Sequence, residues 1–143
     1  MKTKTILLTF LMIVSVAINA QEAESNDFYL KSDTKETLSY IESTEDFDVL
    51  SKVSGNFSFK ISKDFDYFYV TTSTNSKNEI YEIYDFEFAE DQEELTLYVT
   101  DENEQEEVIV VNEQTMKLVI THTNEDGGFL LSRYSLTYLG FEN

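Results

Sequence analysis

From Asn56 to Leu139 apolar and polar residues alternate with a period of two, the spacing of strands that bury one face. Phe57, Phe59 and Ile61 alternate with Ser58, Lys60 and Ser62, and a turn is predicted at Asp64–Asp66. Tyr67 to Thr74 is rich in strong strand formers, and Asn75–Asn78 reads as the next turn. In Glu79–Phe88, Ile80, Tyr84, Phe86 and Phe88 are expected to share a face, interrupted by Glu82. Leu95, Leu97 and Val99 mark a further strand, followed by an acidic turn at Asp101–Gln105. Val108–Val111 is a short continuous apolar strand, and Met116, Leu118 and Ile120 carry the alternation to His122. Asn124–Gly128 predicts a hairpin turn, with glycines where positive φ is cheap. The last strand, Phe129–Leu139, places Leu130, Tyr134, Leu136 and Tyr138 on one side.

These are seven runs joined by short polar turns. Upstream, residues 27–50 mix charges with isolated apolar side chains, and Thr37–Ile41 fits either a short helical turn or an edge strand. The fold expected is all-β, an antiparallel up-and-down meander, with barrel-like closure favoured over a two-sheet sandwich. It forms one domain over residues 28–143.

The first twenty residues follow a different rule. Lys2 and Lys4 precede an apolar run from Ile6 to Ala17, and Ile18-Asn19-Ala20 ends it with a small residue. That is the three-part pattern of a secretory signal peptide, predicting cleavage between Ala20 and Gln21 and a secreted or periplasmic product. The run is too short to span a bilayer, so no membrane span is expected. Residues 21–27, QEAESND, form a polar leader.

Composition narrows the partners. The net charge of −18 falls to −20 once Lys2 and Lys4 are removed. Nucleic acid and anionic lipid are therefore disfavoured, because both are bound by lysine and arginine. Eleven phenylalanines and nine tyrosines supply enough buriable surface for a folded domain despite the self-repulsion. Cysteine is absent, so no disulfide framework is available.

Candidate chemistry is sparse. His122 is the one histidine, and any serine triad would have to use it; a polar residue at a strand end is the simpler reading. Between Lys77 and Lys117 there are fourteen acidic residues and no basic one. Within that block Asp101, Asn103, Gln105 and Glu107 repeat the alternate-residue spacing of a calcium loop. Glu106, however, stands where a glycine would make the turn. Asp101, Asn103 and Glu107 are thus weak metal candidates, and a solvated acidic rim is the expectation. Tyr69, Tyr84, Phe86, Phe88 and Tyr98 fall on adjacent strands and are the candidates for lining a ligand cavity. The competing reading is a barrel filled by its own side chains.

Val53-Ser54-Gly55-Asn56-Phe57 resembles the Gly-x-Trp opening motif of lipocalin-like barrels, with Phe57 in place of Trp. Such barrels often carry a basic residue on the final strand that packs over that ring, and Arg133, the one arginine, lies on the final strand here. The resemblance implies a barrel with a mouth and a small apolar ligand. The function expected is a non-catalytic binding domain without a cofactor. The alternative is an interaction protein whose acidic face meets calcium or a basic protein.

Overall fold

The computed structural model describes residues 27–72, 75–123 and 128–141. The predicted signal segment, the leader up to Asn26 and all but the last residue of the Asn124–Gly128 turn lie outside the described residues. Eight strands follow one another: β1 (Phe28–Ile41), β2 (Asp46–Ile61), β3 (Tyr67–Thr72), β4 (Asn75–Ala89), β5 (Glu94–Thr100), β6 (Glu106–Asn112), β7 (Lys117–Thr123) and β8 (Phe129–Phe141). Each pairs antiparallel with the next, and β1 pairs with β8 from Phe28 opposite Phe141 to Ser39 opposite Leu130, closing the barrel. Eight antiparallel strands closed on themselves are an architecture shared by many functions, and by themselves assign no family.

The alternation that predicts the strands also fills the barrel. Leu95, Leu97 and Val99 of β5, Ile109 and Val111 of β6, and Leu118 and Ile120 of β7 point inward and are buried. Opposite them, Phe59 stacks on Phe68 with ring centroids 5.9 Å apart, and Tyr134 meets Phe59 edge-on at 4.7 Å and Phe57 at 5.3 Å. Such offset and edge-on contacts suit the quadrupoles of the rings and add to the burial of their area.

β1 and the first half of β2 are the elements that periodicity does not resolve. Two irregularities in the β1–β2 ladder, between Ser32 and Thr34 and between Thr37 and Leu38, explain why. An extra residue at a bulge moves every later side chain to the other face: the first shifts the phase of β1 at Asp33, and the second inserts Leu50 into β2. The ambiguous Thr37–Ile41 segment is the end of β1, a strand.

The same effect corrects two face assignments. In β4 the ladder to β5 skips Tyr84, so that Phe86 lies opposite Leu97 and Phe88 opposite Leu95 on the inner face. Ile80, across the bulge, lies opposite Tyr69 on the outside. In β8 the ladder skips Thr137, which leaves Tyr134 and Leu136 inward and turns Tyr138 outward, with Lys31 Nζ 5.5 Å from its ring centre. The predicted turn at Asn75–Asn78 is instead the start of β4, since Asn75 already pairs with Thr72.

The barrel has two unlike ends. At the lower end the connections at 62–66, 90–93 and 113–116 are short. Phe65 stacks on Phe86 there at 4.9 Å. At the upper end the β1–β2 hairpin rises beyond β3, which pairs with β2 only along Phe57–Ile61, while β8 accompanies β1 as far as Ser39.

Candidate functional site

The upper wall of the barrel opens where β4 and β5 part. Their ladder ends at Glu82 opposite Thr100, after which β4 continues upward with β3 alone. β5 is turned away by Asp101, whose Oδ1 accepts the backbone N–H groups of Asn103 (2.8 Å) and Gln105 (2.9 Å). This is the side-chain turn that aspartate makes readily. A third bond runs from the Glu104 N–H to the Asp101 carbonyl, with Glu104 in the left-handed region at φ 62°. The divergence leaves a cleft of about 220 Å³ lined by Asn78, Glu79, Ile80, Tyr81, Asp101, Glu102 and Asn103. Among these lining residues there is no basic side chain.

Behind the cleft the inner face changes from apolar to polar. The Tyr81 hydroxyl donates to Glu79 Oε2 at 3.1 Å. Burial, with Glu79 and then Glu107 nearby, pushes the Tyr81 phenol far above its ordinary value. Burial and Glu79 do the same to Tyr134. Both phenols therefore remain protonated donors throughout the physiological range. The Lys35 ammonium lies 6.0 Å from the centre of the Tyr134 ring.

Next to them, three strands contribute one side chain each. Glu107 Oε1 is 3.1 Å from His122 Nδ1, and His122 Nε2 is 3.2 Å from Ser132 Oγ. Register explains the meeting: Val108 pairs with Thr121, so Glu107 and His122 are the next residues of β6 and β7, while Ser132 faces Ile120 one step below. Glu107 is 8% exposed, and its Oε2 has no hydrogen-bond partner.

The order Ser–His–Glu is that of a hydrolase relay, and it joins the single histidine to partners that sequence reasoning does not supply. Acyl transfer also needs an accessible nucleophile and backbone donors aimed at the oxyanion. Ser132 is 5% exposed and lies in mid-strand, registered with Ile120 on one side and Thr37 on the other. What the cluster supplies is hydrogen bonding and a buried carboxyl group.

The other candidates are dispersed. Tyr69 and Tyr98 face outward: Lys60 Nζ sits 4.3 Å from the Tyr69 ring centre, and the Tyr98 hydroxyl donates to Glu87 at 3.2 Å. Tyr84 is exposed at the bulge, and Phe86 and Phe88 belong to the lower half of β4. The five do not line one cavity. Asp101 and Asn103 share the turn at the cleft, but Glu107 points into the barrel, so the three do not converge.

Arg133 does not cover Phe57. Alternation sends Ser132 and Tyr134 inward and Arg133 outward, where its guanidinium Nη2 lies 3.2 Å from Glu36 Oε1. The ring beside Phe57 is Tyr134, and the cation over that ring is Lys35.

The inward position of Glu107 is legible in the run Glu107, Ile109, Val111; its partners are fixed by register alone. Comparison with protein-family models, curated proteins and solved structures returned no match.

Proposed function

We propose that the protein is an exported, non-catalytic binding module whose lateral cleft takes a small organic cation, an alkylammonium group above all. The observation that carries this reading is the lining itself. Glu79, Asp101 and Glu102 line an opening bordered by Tyr81 on the inner face of β4 and Ile80 on the outer, and Glu107 lies buried behind with one oxygen unpartnered. Acidic rims around aromatic faces suit ammonium groups, which gain from both charge and the ring quadrupole.

The filled interior argues against an apolar molecule deep in the barrel. A cleft of about 220 Å³ is smaller than the roughly 300–1,000 Å³ of drug-sized sites. It fits a polyamine end or a lysine side chain, which brings the basic-partner alternative to the same site.

Calorimetric titration of the mature chain with spermidine, and separately with Nα-acetyl-lysine amide, tests the proposal. Glu79→Gln is expected to weaken saturable binding roughly tenfold, about 1.4 kcal/mol. Binding unchanged in Glu79→Gln would mean counterion association with the acidic surface at large, and no saturable binding would remove the site. The mass of the exported chain, beginning at Gln21, tests the route.

A further inference from the structure

The lower end of the barrel holds a second acidic feature, independent of the cleft. The β5–β6 ladder places Glu94 opposite Asn112, so the connections that precede β5 and follow β6 stand side by side. The Glu113 N–H donates to the Glu93 carbonyl at 3.0 Å, joining them. Glu93 closes a 3-10 turn, Glu90–Gln92, with φ 51° and ψ 46°, a left-handed conformation that costs a non-glycine residue of order 1 kcal/mol.

Both glutamate side chains are inside. Glu93 is 3% and Glu113 8% exposed, and each has a buried Oε2 without a hydrogen-bond partner. Among the described residues no ion pair involves either of them. Lys117, the nearest lysine in the chain, gives its ammonium to Ser135 Oγ at 2.6 Å. Two neighbouring buried carboxylates with orphan oxygens and no counter-charge are costly, since desolvation penalises each charge and their repulsion adds to it. Burial and then Glu93 accordingly push the Glu113 carboxyl up to about 7.

From this geometry we infer that Glu93 and Glu113 together hold a divalent cation, calcium by preference. One ion between the turns would satisfy both orphan oxygens and replace repulsion with attraction. Calcium suits the pair better than magnesium because it accepts bidentate carboxylates in irregular geometry, whereas magnesium demands a near-ideal octahedron and dehydrates reluctantly. No third histidine, cysteine, aspartate or glutamate converges on the pair among the described residues. Water and turn carbonyls would complete the shell, which places the affinity at the weak end of calcium sites, around 10⁻⁴–10⁻³ M. That range matches the extracellular modules and fits an exported chain.

The weak metal candidates suggested by spacing, Asp101, Asn103 and Glu107, lie elsewhere in the acidic block. The two glutamates are invisible to a spacing search because twenty residues separate them, and only the β5–β6 register brings their turns together.

Thermal unfolding of the mature chain in 5 mM CaCl₂, against NaCl of equal ionic strength with EDTA, tests the inference. Calcium is expected to raise the midpoint by about 3–6 °C, and calorimetry with CaCl₂ is expected to give one site per chain. Glu113→Gln and Glu93→Gln are each expected to lose the increment. An increment of the same size in either folded variant would show that calcium merely screens the acidic surface and would overturn the site. So would the absence of any increment or heat with the wild-type chain, a result that does not depend on the variants folding.

Discussion

Phe59→Ala is expected to destabilise the barrel by about 3–5 kcal/mol, a large fraction of the stability of a domain this size. Phe59 is 1% exposed and makes two aromatic contacts. It stacks on Phe68, meets Tyr134 edge-on, and through Tyr134 is linked to Phe57. Truncation removes the transfer energy of the ring and leaves a cavity that the surrounding ladder cannot collapse to fill, because β2 is held by β1 on one side and β3 on the other. Tyr69→Ala, one strand away on the outer face, is the matched control. Its ring lies on the outer face, under the Lys60 ammonium and beside the exposed Tyr67, so a loss below about 1 kcal/mol is expected. Urea unfolding of the two variants decides the matter. Equal losses would mean that the interior is looser than the packing indicates, and would restore the case for a ligand inside the barrel rather than at its side.

That contrast also shows where sequence carries structural information and where it stops. β5, β6 and β7 are legible residue by residue, because their ladders run without a bulge and from Leu95 to Ile120 each inward strand side chain except Glu107 is apolar. β1 is not legible, since Lys31, Asp33, Lys35 and Glu36 punctuate it and the bulge at Asp33 shifts its phase. The bulge at Tyr84 and the skipped Thr137 misplace Phe86 and Tyr138 for the same reason. A bulge is a property of a ladder between two strands, and one strand read alone does not contain it.

The sites follow the same logic at longer range. His122 and Glu107 are fifteen residues apart, and Ser132 is ten further on. Their meeting depends on two ladders in register, which residue type and spacing along the chain do not encode. The cleft depends on where β4 leaves β5, and hence on the Asp101 turn. The acidic character of that turn is visible in the sequence, but its effect of opening the wall is visible only in the fold.

Raising the pH from 5 to 8 in calcium-free buffer is expected to destabilise the wild-type chain relative to Glu113→Gln by about 2 kcal/mol. The direction follows from proton counting. Burial and the neighbouring Glu93 hold the Glu113 carboxyl at about 7 in the folded chain, against an ordinary value of 4.5. Between those values the folded protein keeps a proton that the unfolded chain has released, so stability falls as the pH rises and the loss is complete once the pH passes the folded value. At about 1.4 kcal/mol per unit the whole shift from 4.5 to about 7 comes to about 3.5 kcal/mol; screening by water brings the expectation over this pH span nearer 2. Glutamine imitates the protonated side chain and carries no such slope. Repulsion among the remaining carboxylates acts on both proteins and cancels in the difference. Urea midpoints at the two pH values measure it, and parallel curves for wild type and variant would show that Glu113 is solvated. Calcium adds a further constraint, because a proton and a cation compete for the same oxygens. If the two turns bind calcium, 5 mM CaCl₂ should flatten the wild-type slope at the alkaline end, where the carboxylate is free to coordinate, and leave the stability at pH 5 almost unchanged.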